Sequence, residues 1–409
     1  MTPAREGATK GKPMTQLKRT ARLAAAAAAA ALLLTGCGAQ SAAETPDAAA
    51  PSTDAAAEGP RVAVAYAGGV LIVDGESLEV IDNLPTEDFV RLNSAGDGRH
   101  AFVTTSAGFQ LLDMREPELT DQVVDAAAAG HVVRHGGKTV LYDDATSDTT
   151  IFDTDALADA DGSLPEAEVI EGVEAHHGVS VVLEDGTFVT TVGDANGRSG
   201  IRAVDADGAE IATSAECPGV HGEGTAEGEA VVFGCENGAL VFDVGEITKL
   251  DSPDEFGRIG NAYVSENSPL VVMDYKDDPD MEGYLLTDIA LVDTEAKTLE
   301  KVALPEGVSY TFRGVTRVES GDAVLIGSDG KLHVIDPATG AVTASHDAID
   351  AWEGPSEWQQ PHPAIAAHGD VVYVTDAANS TIVTLDATTG EVIASAELPE
   401  VPNEMVVVG

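Results

Sequence analysis

Apolar residues in this chain recur in short alternating runs, not at helical spacing. Eight of these runs (VLIVD, FQLLD, TIFD, IRAVD, LVFD, IALVD, LHVID and IVTLD) end in an aspartate followed by a turn. They close at Asp74, Asp113, Asp153, Asp205, Asp243, Asp293, Asp336 and Asp386, at intervals of 38 to 52 residues. Alternation with period two predicts half-buried strands, and a repeat of this length predicts a β-propeller, whose sheet-like blades each need a neighbour to bury their faces.

The repeat resolves into a common plan. Around the second aspartate, residues 89–95 read as an inner strand, Gly96-Asp97-Gly98 as a hairpin turn, and residues 101–105, 109–112 and 121–125 as three further strands. The same plan fits residues 178–212 and 364–398. Only three strands fit between residues 61 and 84, whereas residues 404–408 form a lone apolar strand at the far end. Pairing that tail with the first blade closes the ring and removes its open edges. The expected fold is therefore an all-β propeller of eight blades, with seven as the alternative if a long interval holds an insertion. Aromatic residues are 4% of the chain, so Val, Ile, Leu and Ala are expected to fill the core.

The residues before the first blade have a different character. Basic residues from Arg5 to Arg22 precede an apolar stretch at 23–34, too short for a membrane-spanning helix, which needs about 20 residues. Met14 is a candidate start for this leader. Residues 1–36 read as a signal peptide, and Leu34-Thr35-Gly36-Cys37 resembles the bacterial lipobox, which implies lipidation at Cys37. Residues 37–60, rich in Ala, Pro, Ser and acids, hold too little apolar bulk to order and read as a flexible stalk. The propeller then occupies 61–409, outside the cytoplasm and held to the cell membrane by the lipid alone.

The formal charge is −48, and six Lys or Arg and one acid precede Cys37. A chain starting there has 22 − 6 = 16 bases against 70 − 1 = 69 acids, or −53. Such a surface repels nucleic acid and anionic lipid and attracts cations and basic partner faces. The acidity serves solubility in salt, or gathers metal cations. Besides Cys37, only Cys217 and Cys235 remain, an even pair in an oxidising compartment that encloses one hairpin. A bridge between them is expected, against two free thiols.

Histidines can be placed on this register. His131, His177, His221 and His362 each fall just before an innermost strand, 22 to 28 residues ahead of that blade's aspartate, and so face one mouth of the central channel. His100, His135 and His368 lie at inner hairpins, His333 in a third strand and His346 in an outer strand. His131, His177 and His221 belong to the consecutive third, fourth and fifth blades, from which three imidazoles can approach one ion. His362 comes from the opposite side, and His176 replaces His177 if its strand starts one residue earlier. Three imidazoles with a water or carboxylate make a tetrahedral zinc site open to exchange, although imidazole also suits copper and nickel.

Several segments carry a family resemblance: Glu174-Ala175-His176-His177-Gly178-Val179, Cys217-Pro218-Gly219-Val220-His221-Gly222, Phe233-Gly234-Cys235-Glu236-Asn237-Gly238, Gly130-His131-Val132-Val133 and residues 358–376. Together they resemble the AztD-type periplasmic zinc metallochaperones. The resemblance implies a zinc-binding propeller that passes zinc to the solute-binding protein of a zinc ABC importer; separately, a monomer is expected. It also implies a Cys217–Cys235 disulfide and ligands at His131, His176 or His177, and His221. The chain departs from the family in having no histidine before His100, where members carry a histidine-rich N-terminal region, and in the lipid anchor.

Two other classes compete. Propellers also serve as lactonase-type hydrolases, and fold alone does not separate these. However, the chain has no nucleophile elbow, P-loop or Gly-x-Gly-x-x-Gly after a strand, and Ser180 and Ser214, the serines near these histidines, lack acid and base partners at fixed spacing. No enzyme is expected. The third class is a docking propeller whose histidines are incidental.

Overall fold

Strand alternation produces eight antiparallel sheets of four strands each in the computed structural model, which describes residues 59–409 apart from residue 161. The signal peptide, the stalk up to residue 58 and Cys37 lie outside the described residues. Each sheet is one blade, numbered in chain order, and each runs outward strand by strand, as in blade 5: His221–Thr225, Val231–Cys235, Gly238–Asp243 and Glu246–Asp251. In blade 1 the innermost strand is Met405–Val408, which pairs antiparallel with Arg61–Tyr66 (Arg61 opposite Val408, Val64 opposite Met405). The expected closure is thus observed, and the blade count is eight.

The long intervals are filled without loss of a blade. A short helix, Thr154–Ala158, and the loop after it extend blade 3 between its third and fourth strands. In blade 6 the extra length separates Leu270–Tyr275 from Asp288–Asp293.

The recurrent aspartate has a local cause. At Asp74, Asp113, Asp293 and Asp386 one carboxylate oxygen accepts backbone N–H bonds from the second and third residues onward, and at Asp205 and Asp336 at least the second. These Asx turns pin the hairpin between third and fourth strands, so the aspartate repeats because the turn repeats. In blade 3 this place is taken by the helix, and in blade 5 Asp243 pairs with Lys297 at 2.7 Å.

Blades bury their faces against one another. Val133, Val140 and Ile151 of blade 3 pack with Val181, Phe188 and Ile201 of blade 4, which in turn meet Val231, Phe233 and Leu240 of blade 5. Aliphatic residues dominate as expected, yet the few aromatics are concentrated inside, since Tyr142, Tyr275, Tyr310, Tyr373 and Phe102 are all fully buried. Each fully buried large side chain contributes on the order of 2 kcal/mol by removal from water.

Third strands run parallel to innermost strands, so the aspartate turns lie on one face of the ring. The starts of the innermost strands lie on the other. Cys217 and Cys235 are joined on that second face, across blade 5, and both are fully buried. Cys217 precedes the innermost strand, and Cys235 closes the second. Replacing both by alanine should cost about 3 kcal/mol for a loop of this size. Chemical denaturation with and without reductant measures it; a loss under about 0.5 kcal/mol would show the bridge to be incidental.

Candidate metal centre

Three innermost segments deliver the site. His131 lies near the start of Ala129–His135, where the register with the second strand slips between Ala129 and Val132. His221 opens His221–Thr225, whose register slips between His221 and Glu223. Both histidines thus sit at β-bulges, which re-aim side chains that a regular ladder would hold flat to the wall. His177 lies on the link entering blade 4, just ahead of Ser180–Val182.

The three rings form a near-equilateral group, with centroids 4.9 to 5.1 Å apart. One nitrogen from each lies within 4.8 Å of the others. Outer partners fix which nitrogen that is. His131 Nδ1 is 2.8 Å from the Gly178 carbonyl, and His221 Nδ1 is 2.5 Å from the Gly260 carbonyl. A carbonyl only accepts, so each Nδ1 carries the proton and donates. His177 Nδ1 lies 2.6 Å from Asp144 Oδ2. All three Nε2 lone pairs then point inward, and those of His177 and His221 are 3.0 Å apart.

That inward set is repulsive unless a cation or a shared proton lies between. Burial, and then the charge of His177, holds His131 down at about 4. Burial, and then the charge of His131, places His221 well below the ordinary imidazole range. At neutral pH these two rings are therefore uncharged donors. Tetrahedral zinc with bonds near 2.0–2.1 Å needs nitrogens about 3.3–3.4 Å apart. His177 and His221, at 3.0 Å, lie close to that spacing, all three nitrogens lie within 4.8 Å of one another, and outer hydrogen bonds of this kind are those that orient metal-binding imidazoles. The residues fit zinc.

The site opens into a cavity of about 800 Å³ in the channel mouth, whose walls include Asp144, Glu223, Arg258, Lys276 and Trp358. His177 is its most accessible ligand, with 46% of its side chain exposed. Burial pushes the Glu223 carboxyl up to about 7 against the opposing charge of Arg134.

Of the two neighbouring histidines, the structure brings His177 to the triad and turns His176 away. His176 Nδ1 meets Glu174 O at 2.8 Å and Ser147 Oγ at 3.0 Å, while Nε2 meets Thr191 Oγ1 at 3.0 Å and Tyr142 Oη at 3.2 Å. With both nitrogens engaged, it anchors the link that presents His177. His362 is buried elsewhere, its Nδ1 2.7 Å from Gln360 O. His100, His135 and His333 bond to Asp97, Glu229 and Ser345. Ser180 is also buried and shares hydrogen bonds with Thr149 and Thr190 at 2.9 and 2.8 Å.

Sequence reasoning missed the residues behind the ligands. Asp144 Oδ2 holds His177, and its Oδ1 accepts the Gly178 N–H at 3.3 Å. Asp274 accepts the N–H groups of Gly260 and Asn261 at 2.5 and 3.0 Å and so fixes the carbonyl that holds His221. Nothing in a chain this acidic marks those two carboxylates apart from the rest.

Comparisons with known proteins bear out the resemblance read from the sequence. The chain is 28% identical over 304 residues to the zinc chaperone AztD of Citrobacter koseri, spanning 73% of this chain and 70% of that protein. The structure of apo AztD from Citrobacter koseri superposes with a TM-score of 0.71 at 23% identity, covering 86% of this chain and 98% of that one. A second Citrobacter koseri AztD crystal structure gives 0.70 at 22% identity with the same coverage. A dihydro-heme d1 dehydrogenase, NirN, gives 0.57 at 14% identity, covering 85% of this chain and 74% of that one. At these identities the structural matches show the shared propeller fold alone. No protein-family model matches the sequence.

Proposed function

We propose that this propeller, similar in sequence to a zinc chaperone, binds one zinc ion at His131, His177 and His221 and delivers it by ligand exchange. The acceptor in this reading is the solute-binding protein of a zinc ABC importer. The observation that carries it is the inward convergence of three Nε2 lone pairs whose opposite nitrogens are all held by acceptors. A monomer, exported and tethered through Cys37, belongs to the same reading, as does function without enzymatic turnover.

Transfer follows from unequal exposure. A ligand of the acceptor enters at the open coordination position, water leaves, and the exposed His177 imidazole is displaced next. His131 and His221, deeper in the wall, let go last. Zinc then passes without becoming free, and transfer to the acceptor runs faster than release to dilute chelator. This needs no histidine-rich tail, which the sequence lacks ahead of His100.

Zinc titration of the purified protein tests the reading, with a stoichiometry of one expected. Its pH dependence has a definite sign. Two of the three imidazoles are already unprotonated well below pH 6.5, so at most one proton leaves the triad per zinc bound between pH 5.5 and 7.5. Affinity therefore weakens as pH falls, by no more than about tenfold per pH unit. A steeper, three-proton dependence would contradict the buried triad. For the zinc-free protein the unfolded His131 takes up its proton near 6.5 but the folded one only near 4, so stability is lost as pH falls through that window.

A further inference from the structure

A second cavity, of about 600 Å³, opens between blades 3 and 4. His176 lines it, whereas its neighbour His177 lines the metal cavity. A volume of this size is that of small-molecule sites, which combine apolar walls with a few fixed polar groups. The apolar wall comes from Tyr142 and Ile170 of blade 3, Val173 of the link and Phe188 of blade 4. Val173 is left 76% exposed there, with no partner face to cover it.

The same cavity carries charge. Arg202 lies within Gly197–Val204, the third strand of blade 4, opposite Thr190 of the second. Its neighbours Ile201 and Ala203 are fully buried, so alternation turns Arg202 to the other face of the strand, where it lines the cavity beside Thr190. The guanidinium makes no hydrogen bond or ion pair among the described residues, in a chain of 70 acids against 22 Lys and Arg. Two acids of the link, Glu171 and Glu174, line the cavity as well, and their carboxylates engage no donor among the described residues. A third, Asp194, already accepts the Asn196 N–H at 2.7 Å. The hydroxyl groups nearby are also taken: Tyr142 and Thr191 hold His176, and Thr190 meets Ser180 at 2.8 Å. A simple anion would be opposed by the link acids and a simple amine by Arg202. A free cation, free carboxylates and apolar surface in one cavity match a ligand that carries both charges.

We propose that this cavity binds a free amino acid with an apolar side chain. Its carboxylate takes the Arg202 fork through paired N–H···O bonds, its ammonium faces Glu171 and Glu174, and its side chain lies on Ile170, Val173 and Phe188. The site stands apart from the triad and does not depend on zinc.

Calorimetric titration of the zinc-free protein with L-leucine tests this, beside two analogues that each lack one charge: isocaproate without the ammonium and isoamylamine without the carboxylate. Leucine should bind saturably and at least about tenfold tighter than either analogue. Arg202→Gln should weaken leucine by about tenfold or more and leave the zinc titration unchanged, which also reports that the variant folds. Glu171→Gln with Glu174→Gln, at exposed positions, should weaken leucine about threefold and tighten isocaproate, opposite signs that a general loss of structure would not produce. No saturable binding at millimolar leucine, wild-type affinity in Arg202→Gln, or isoamylamine binding as well as leucine would overturn the proposal. Because the titration needs no metal, its failure would leave the zinc reading untouched.

Discussion

His221→Ala should weaken zinc binding on the order of 1,000-fold while leaving the zinc-free protein at least as stable as the wild type. The two signs come from one arrangement. With zinc, His221 supplies one of three donors; without it, the His221 Nε2 lone pair faces that of His177 at 3.0 Å, with His131 close by. Deleting the ring removes a donor and a repulsion together, and leaves a small void at a channel wall already open to water. A site whose geometry is strained in favour of a ligand stabilises only once loaded, by an amount that grows with ligand concentration over Kd. Asp144→Asn is the graded comparison, since it keeps the ring and alters only what holds His177, and it should cost about 10–100-fold. Competition titration against a fluorescent chelator reads both affinities, and thermal unfolding of the apo-proteins reads the second sign. A His221→Ala protein that binds zinc like wild type would remove the triad from consideration.

Legibility from sequence followed the physics of each feature. The blade count could be read because the Asx turn that begins most of the outer hairpins favours an aspartate, so Asp74, Asp113 and Asp386 mark the register whatever the rest of the blade contains, while Asp153 and Asp243 keep the interval without that turn. Closure was readable because residues 404–408 had no other strand to pair with. His131, His177 and His221 could be placed at one mouth because the innermost strands all start on one face. Their exact aim could not, since it is set by bulges at Gly130–His131 and at Gly222, and in a chain of 42 glycines nothing separates these two from the glycines of ordinary hairpin turns. The alternatives His176 and His177 were also beyond the sequence: one-residue differences in a link decide which ring turns inward, and only the pocket of Ser147, Tyr142 and Thr191 captures His176. The backbone carbonyls of Gly178 and Gly260, two of the three groups that fix the tautomers, leave no trace in side-chain identity at all.

Gly222 is the point at which backbone and metal chemistry meet, and Gly222→Ala is expected to lower zinc affinity on the order of 100-fold. Its φ is +66°, a left-handed conformation that costs a residue with a Cβ roughly 1–2 kcal/mol. That strain alone would be a stability effect. The space around it adds the functional one: a Cβ here would lie 2.5 Å from the carbonyl carbon and oxygen of Gly260 and 2.6 Å from the Asn261 nitrogen. All three are backbone atoms, and Asp274 holds them by two N–H bonds, so they cannot swing aside as a side-chain tip would. The Gly260 carbonyl is also what fixes His221 Nδ1. Relief of the clash must therefore shift either that acceptor or the bulge that aims the ring. Gly228 supplies the control, because it has nearly the same φ, +71°, on the turn at the far end of the same innermost strand, and a Cβ there would meet nothing within 4 Å. Gly228→Ala should lose stability through backbone strain alone and bind zinc normally. Equal zinc affinities for the two variants would mean that the Gly260 carbonyl does not orient His221, and that the ring finds its place through the metal instead.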